Sequence, residues 1–169
     1  GHTRWATHGG VSRQNAHPHS DCSGRIFVVH NGVIENFDAL REELSKKGHK
    51  FSSETDTELV AHLIEEESEK EGDFGAAFAR AVIRLSGSWS LVVLKEGEEA
   101  IHLSRNGPPL VLGIGKNEMF CASDVPALLE YTKQVVFLED GDRARITRGG
   151  FWVFGKAGTK VARKVHAIT

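Results

Sequence analysis

The sequence has few of the features that mark secreted, membrane-spanning or polyanion-binding proteins. It contains only two cysteines among 169 residues, too few for a disulfide framework, so both are predicted to be free thiols. It has no run of about 18 apolar residues and no basic start followed by an apolar stretch, so neither a membrane span nor an exported form is predicted. The formal net charge is -2, and without an excess of basic residues we expect no nucleic-acid partner. These absences favour a cytoplasmic protein.

The composition is typical of one globular domain. With 40% hydrophobic and 26% charged residues, a chain of 169 residues can bury a core of its own. No internal repeat or low-complexity linker divides it, so we expect a single domain over residues 1–169.

The first half of the chain carries three helical patterns. Apolar residues spaced at i, i+3 and i+7 predict a helix over about 37–47. A second helix is predicted to begin just after the capping-type residues Thr55 and Asp56. Its tail, EEESEKEG at 65–72, is interpreted as a solvated face. A third helix is predicted to begin at the N-cap Asp73.

The second half of the chain has the pattern of a β-sheet protein. Before it, a β-branched and aromatic run at 25–30 predicts a strand that meets a turn at Asn31 and Gly32. From Ser88 onward, seven short apolar runs predict strands, with one helical turn at 125–131: WSLVVLK, AIHLSR, PLVLGI, MFCAS, QVVFLE, RARIT and FWVFG. Helices beside many short strands predict an α+β fold in which helices cover stacked antiparallel sheets.

Candidate site residues stand where predicted elements start or stop. Arg4 offers a planar guanidinium that suits a carboxylate, and Asp56 offers a carboxylate that suits an ammonium, so together they could hold a free amino acid. Asn31 brings an amide N–H donor, and Gly32 has no Cβ to keep a ligand from its backbone N–H. Two such donors could form an oxyanion hole, which stabilises the tetrahedral intermediate of acyl transfer.

Each of these residues also has an ordinary structural interpretation. Arg4 could form a surface ion pair, Asn-Gly is a common hairpin dipeptide, and Asp56 could cap the helix that follows it. Trp5 is of a type that more often packs than catalyses, and Thr7 could be only a turn hydroxyl.

A cluster of histidines near the start of the chain suggests a metal site, but other features of the sequence argue against it. Five of the nine histidines fall in the first thirty residues: His2, His8, His17, His19 and His30. Pro18 directs the rings of His17 and His19 apart, and no cysteine or carboxylate stands at a familiar ligand spacing. We therefore predict no metal and no cofactor.

The order and spacing of several motifs resemble one enzyme family. The motifs are HTRWATHG (2–9), NAHPH (15–19), VVHNGVIEN (28–36), SETDTE (53–58), SRNGPPLVLGIG (104–115), ASDVPALL (122–129) and FLEDGD (137–142). They are similar to the class II glutamine amidotransferase domain of the glucosamine-6-phosphate synthase family, also called glutamine:fructose-6-phosphate aminotransferase. The resemblance covers nearly the whole chain.

This resemblance implies a fold, a reaction and a set of roles. The fold is the N-terminal-nucleophile hydrolase sandwich, with two antiparallel sheets between helical layers in an αββα arrangement. In this family an N-terminal cysteine attacks the side-chain amide of L-glutamine, forms a glutamyl thioester and releases ammonia, and water then releases glutamate. The implied roles are Arg4 and Thr7 for the glutamine carboxylate, Asp56 for its ammonium, Asn31 and Gly32 for the oxyanion hole, His8 for the pocket wall, and Trp5 for the ammonia exit.

The resemblance also implies segments outside this sequence. A leading strand, a helix and the nucleophilic cysteine are expected upstream of Gly1, and a sugar-phosphate isomerase domain is expected after Thr169. Cys22 is predicted to lie in a loop and Cys121 in a late strand, and neither has the free α-amine of the family nucleophile. The chain is therefore predicted to be an inactive fragment of a glutaminase domain, from a homo-oligomeric enzyme of hexosamine synthesis that uses fructose-6-phosphate.

Two alternatives remain open at this point. The chain could come from another class II amidotransferase, such as amidophosphoribosyltransferase, which delivers ammonia to a different acceptor. It could also be a non-catalytic module that binds glutamine or metal through its histidine-rich start. Thermal stabilisation by glutamine without hydrolysis would favour a binding module, and zinc-dependent stabilisation would favour the metal-binding form.

Overall fold

The computed structural model describes residues 1–70 and 72–169. The helices are α1 (Phe37–Lys46), α2 (Asp56–Ser68) and α3 (Phe74–Ile83), with a short 3-10 helix at Val125–Leu128. The strands are β1 (His19–Ser20), β2 (Ile26–Ile34), β3 (Gly87–Lys95), β4 (Ile101–Asn106), β5 (Val111–Ile114), β6 (Met119–Ala122), β7 (Gln134–Phe137), β8 (Arg143–Thr147), β9 (Gly150–Phe154), β10 (Lys160–Val161) and β11 (Val165–Ala167). None of the described helices is long and apolar enough to cross a membrane.

The strands form two antiparallel sheets. The first has the order β1-β2-β3-β4-β8-β9-β10, and the second has the order β11-β7-β5-β6. In the first sheet, β2 and β3 pair along their whole length, from Ile26 opposite Lys95 to Ile34 opposite Gly87. This long pair supports the candidate site described below.

The helices cover one face of the first sheet, and the second sheet packs on its other face. Because strand side chains alternate between faces, Val28 and Leu91 point to the helices and are buried against residues such as Leu63 of α2. A second core, which includes Leu103 and Leu112, lies between the two sheets. The predicted stacking of helices on sheets is confirmed.

The outer face of the second sheet carries the 3-10 helix. Its Leu128 packs against Val111 and Val135, which alternate with the residues that face the first sheet. The predicted α+β sandwich is therefore confirmed. In the described part of the chain, this 3-10 helix is the helical element that covers the second sheet.

The predicted turn at Asn31 and Gly32 is wrong, because β2 continues through both residues to Ile34. Gly32 stays in the ladder at φ +123°, a conformation that glycine adopts readily. A Cβ at this position would overlap the backbone carbonyl oxygen of Ser88 on β3. The absence of a side chain at Gly32 thus allows β2 and β3 to approach closely, and Gly32 is not part of a hairpin turn.

The interpretation of 65–72 as a solvated face includes residue 71, which lies outside the described residues, and it is wrong for Glu67. Glu67 is only 1% exposed. Its carboxylate lies 3.3 Å from Nε of Arg80 and 3.1 Å from a guanidinium nitrogen of Arg84. The third helix contributes Arg80 and Arg84 follows it, so this carboxylate joins the ends of α2 and α3.

Candidate functional site

A cavity of about 230 Å³ opens where the end of β2 meets the start of α2. Its lining residues are His2, Arg4, Trp5, Thr7, His8, His17, His30, Asn31, Gly32, Val33, Thr55, Asp56 and Thr57. All seven residues with a role implied by the sequence are among them. The structure therefore brings residues from the segment 2–8, the end of β2 and the start of α2 to one place.

Asp56 lies in the first turn of α2 and does not cap it. The cap is Thr55, whose side chain accepts a hydrogen bond from the N–H of Glu58 at 3.3 Å. Asp56 Oδ2 accepts from the N–H of Ile34 at 2.9 Å, while Oδ1 lies 3.9 Å from Nδ1 of His30, beyond hydrogen-bonding distance. Asp56 is 3% exposed, and the helix N-terminus favours its negative charge. Its Oδ1 can accept a hydrogen bond from a cationic ligand.

Arg4 braces the loop that forms one wall of the cavity. Its guanidinium donates to the carbonyl oxygens of His8 at 2.5 Å, Gly9 at 3.3 Å and Gly10 at 3.2 Å. Among the described residues it has no carboxylate within ion-pair distance, so the surface ion pair considered above is not seen. A guanidinium has five N–H donors, and these three contacts leave capacity for a ligand carboxylate.

His8, Trp5 and Thr7 occupy different depths of this wall. His8 Nδ1 is buried, has no hydrogen-bond partner among the described residues, and lies 3.7 Å from Asp56 Oδ2. The ring of His8 packs against Phe37, with 5.4 Å between the ring centroids. Trp5 is 91% exposed and Thr7 is exposed as well. His8 therefore belongs to the interior of the site, and Trp5 and Thr7 belong to its mouth.

Asn31 and Gly32 present polar groups from the opposite wall. Asn31 Oδ1 lies 2.6 Å from Nε2 of His2. Because Oδ1 is engaged by that ring, the Nδ2 amide group of Asn31 is left to donate elsewhere. The backbone of Gly32 borders the cavity without a Cβ. This arrangement is compatible with the oxyanion hole considered from the sequence.

The histidines at the base of the cavity are uncharged near neutral pH. His17 Nε2 and His30 Nδ1 lie 3.0 and 3.1 Å from the hydroxyl of Thr57, and the ring of His17 stacks on that of His2. Burial, followed by the neighbouring histidines, lowers the pKa of His17 to about 3. Burial also lowers the pKa of His30. These neutral rings do not oppose the binding of an ammonium group.

Two further residues of the site had no role in the sequence analysis. Asn15 is 3% exposed. Its Nδ2 donates to the carbonyl of Gly10 at 3.0 Å, and its Oδ1 accepts from the N–H of Glu54 at 3.0 Å. Asn15 therefore links the loop at residues 8–10, which Arg4 also contacts, to the residue before the N-cap of α2. Thr57 joins His17 to His30 through its hydroxyl. Asn15 and Thr57 lie inside the motifs NAHPH and SETDTE, but the contacts of Asn15 with Glu54 and of Thr57 with the two histidines join residues distant in sequence.

Comparison with known proteins defines the class to which the chain belongs. A sequence model of the glutamine amidotransferase domain matches residues 2–130. The chain therefore belongs to the glutamine amidotransferase domain family. Similar proteins include a glutamine--fructose-6-phosphate aminotransferase [isomerizing] of Pyrococcus horikoshii, 53% identical over 99% of this chain. An enzyme of the same name from Thermotoga maritima is 50% identical over 99% of this chain. The chain spans only 28% and 27% of the lengths of these two relatives.

Solved structures share the fold. A glutamine phosphoribosylpyrophosphate amidotransferase from B. subtilis superimposes with a TM-score of 0.76 and 22% sequence identity, over 94% of this chain and 35% of that one. A glutamine aminotransferase class-II domain protein from Silicibacter pomeroyi gives a TM-score of 0.62 and 20% identity, over 88% of this chain and 74% of that one. The α+β sandwich thus has the N-terminal-nucleophile hydrolase fold, as the family resemblance implied.

Proposed function

We propose that the cavity binds L-glutamine and that the chain is the glutaminase domain of a glutamine–fructose-6-phosphate aminotransferase. In such an enzyme the ammonia released from glutamine passes to fructose-6-phosphate, which a sugar-phosphate isomerase domain of the same protein binds. One observation carries the proposal: residues suited to the two charged ends of an amino acid, and to an oxyanion, line a single cavity. The relatives that are about half identical to this chain bear the name of that enzyme.

The size and charges of the cavity suit a free amino acid. Its volume of about 230 Å³ is below the about 300–1,000 Å³ of sites for drug-sized ligands. Asp56 provides a buried carboxylate for the α-ammonium, and Arg4 provides a guanidinium for the α-carboxylate. Since the neighbouring His17 and His30 rings are neutral, Asp56 is the charge that an ammonium meets at the base.

The chemistry assigned to these residues is amide hydrolysis through a thioester. The nucleophile is the N-terminal cysteine that the family resemblance implies for the longer protein. Its thiolate attacks the side-chain carbonyl carbon of glutamine, and the Asn31 amide and the Gly32 N–H stabilise the oxyanion that forms. Collapse of the intermediate breaks the C–N bond, and the nitrogen leaves as ammonia after it takes up a proton. Water then cleaves the thioester and gives glutamate. The lining residues supply the binding groups and the oxyanion donors, and neither Cys22 nor Cys121 is among them.

The degree of sequence identity to known enzymes favours fructose-6-phosphate over phosphoribosyl pyrophosphate as the acceptor of ammonia. The aminotransferase relatives are 50% and 53% identical to the chain, whereas the phosphoribosyl amidotransferase is similar at 22% identity and shares the fold alone. The test is an assay of the longer protein that contains this domain, with glutamine and either acceptor. Glucosamine-6-phosphate is the expected product, and amination of phosphoribosyl pyrophosphate instead would refute the proposed acceptor.

Glutamine binding is tested by neutralising the proposed ammonium ligand. We expect Asp56→Asn to weaken the affinity for glutamine at least about tenfold, because a charge-assisted hydrogen bond is lost. Asp38→Asn is the matched control, since Asp38 also lies in the first turn of a helix but is exposed. Isothermal titration calorimetry on both variants gives the comparison. Equal affinities in the two variants would show that glutamine does not bind at Asp56.

A further inference from the structure

Outside the cavity, four side chains bring potential metal ligands to one point. Cys22 lies in the turn after β1, His49 follows α1, and His62 and Glu65 lie on α2. One ligand atom from each lies within 4.8 Å of the others. We propose that Cys22, His49, His62 and Glu65 bind one zinc ion. This site is separate from the glutamine cavity, so the two proposals can fail independently.

The distances between these atoms fit the edges of a zinc tetrahedron. Zinc–nitrogen bonds of about 2.0–2.1 Å and a zinc–sulfur bond of about 2.3 Å place two nitrogens about 3.3–3.4 Å apart, and sulfur about 3.5–3.6 Å from nitrogen. The Nδ1 atoms of His49 and His62 are 3.4 Å apart. Cys22 Sγ lies 3.3 Å from His62 Nδ1 and 3.7 Å from His49 Nδ1.

The fourth ligand, Glu65, fits the same geometry. A carboxylate oxygen bound to the same zinc would lie about 3.3–3.5 Å from each nitrogen. Glu65 Oε2 is 3.1 Å from His49 Nδ1 and 3.4 Å from His62 Nδ1. The backbone N–H of Cys22 also donates to this oxygen at 3.1 Å, which holds the carboxylate beside the sulfur.

Carboxylates behind both histidines orient them for metal binding. His62 Nε2 lies 3.4 Å from an oxygen of Glu58, and His49 Nε2 lies 3.1 Å from an oxygen of Glu66. A carboxylate acceptor at Nε2 favours the proton on that nitrogen, which leaves the lone pair on Nδ1. Both lone pairs then point to the same place as the sulfur and the Glu65 oxygen. This arrangement of ligand and outer carboxylate is the one in which zinc-binding histidines are usually found.

A metal-free alternative explains fewer of these contacts. A protonated His49 between Glu65 and Glu66 would account for the two distances of 3.1 Å. It would leave unexplained why the Cys22 sulfur lies 3.3 Å from Nδ1 of His62 and 3.7 Å from Nδ1 of His49. A zinc ion accounts for all four ligand atoms, and the thiolate and carboxylate together balance its charge. The thiol proton passes to solvent when the metal binds.

The site would fasten α2 to the segments on either side of it. Cys22 belongs to the β1–β2 connection and His49 to the α1–α2 connection, so the ion would link both to one helix. His62 lies six residues after Asp56, or about 9 Å along the helix axis. Four protein ligands without an open position indicate a structural ion. The ion would thus stabilise the helix that carries Asp56 and would take no part in the reaction.

Metal titration of the purified protein tests the proposal. After removal of metal with a chelator, we expect one equivalent of Zn²⁺ to bind and to raise the melting temperature. We expect Co²⁺ to give the visible bands of a tetrahedral site and a thiolate charge-transfer band in the near ultraviolet. Absence of stoichiometric binding, or a cobalt spectrum without the thiolate band, would overturn the proposal.

Variants separate this site from the other histidines and the other cysteine. Cys22→Ser changes an exposed residue, so the variant should fold, lose the thiolate band and lose the thermal shift with zinc. Cys121→Ser is the matched control and should keep both. Glu66→Gln removes the carboxylate behind His49 and should weaken zinc binding about 10- to 100-fold. Binding that survives Cys22→Ser but is lost in His17→Asn would instead assign the metal to the glutamine cavity and refute the site.

Discussion

Glu67 is a buried carboxylate within a run of acidic residues that looks solvated in the sequence. Burial opposes its ionisation, but the contacts with Lys70 and Arg84 outweigh this effect and lower its pKa. Its neighbours Glu66 and Glu69 are more exposed. A charged residue in a helix can therefore face the interior when the next helix and the residues after it supply its ion-pair partners. The sequence of the acidic run does not show these partners, because they lie in another segment.

Removal of the Glu67 carboxylate should destabilise the fold. We expect Glu67→Ala to lower the free energy of unfolding by about 3 kcal/mol, because Arg80 and Arg84 lose a buried partner. Glu69→Ala, two residues further along the chain and exposed, should change it by less than about 0.5 kcal/mol. Urea denaturation measures both values. Similar losses in the two variants would show that the buried ion pairs contribute nothing specific.

The buried histidines should make stability depend on pH. The pKa of His17 is about 3 in the folded protein, against 6.5 as its ordinary value. Between these values the unfolded chain binds a proton that the folded chain does not, so the contribution to stability is complete above about pH 6.5 and falls as the pH drops toward 3. In His17→Asn, the slope of unfolding free energy against pH between 5 and 6.5 should be shallower by up to about 1.4 kcal/mol per pH unit. Urea denaturation across this range should reveal the difference, and parallel slopes would contradict it.

At the scale of secondary structure, the pairing of β2 with β3 depends on Gly32, where the backbones of the two strands approach closely. Backbone strain from a residue with a side chain at this φ costs about 1–3 kcal/mol. Gly32→Ala should destabilise the protein by more than this, because the new Cβ would also overlap the Ser88 carbonyl oxygen. Gly150→Ala in β9 is the matched control, since Gly150 has φ +144° and open space around its Cβ position. Thermal denaturation separates strain from overlap. Equal losses at the two positions would mean that β3 can move away at no cost.

The elements that could be predicted from sequence are those with a long local pattern. The three helices and the strands β3 to β9 lie close to the predicted segments, because each contains several apolar residues at one period. The strands β1, β10 and β11 have two or three residues each, too few to show alternation. Asn31 and Gly32 misled the prediction because their dipeptide preference is local, whereas their place in β2 is set by the partner strand.

The candidate site was predictable where residues stand in a familiar motif. All seven residues with an implied role line one cavity, although their individual roles remain proposals. Asn15 was missed because its function is to join two distant segments. The cluster at Cys22 was missed for the same reason: of its four members, only His62 and Glu65 have a helical spacing of three residues. Contacts between segments are decided by packing, which sequence spacing does not record.

At the scale of the whole molecule, α2 connects the two proposed sites. Its first turn carries Asp56 beside the glutamine cavity, and its middle carries His62 in the cysteine cluster. The helix is fixed between these points by a core in which Leu59, Leu63 and Ile64 are fully buried against the first sheet and α3. A single rigid helix thus holds residues of both sites in place, even though the sites involve different chemistry.

The positions of the cysteines in this architecture predict how a polypeptide of these 169 residues behaves. Thiolates are the nucleophilic form of cysteine, but burial raises the pKa of Cys121 to about 11. Partial desolvation of the sulfur, together with the nearby Glu65 carboxylate, also raises the pKa of Cys22. Neither lines the cavity. We therefore expect glutamine to bind while glutamate release stays negligible, and calorimetry on the same sample as the glutamate assay checks that the fold is present. Turnover at an enzyme-like rate that disappears in Cys22→Ser or Cys121→Ser would contradict the site, because a thiol outside the cavity would then be the nucleophile.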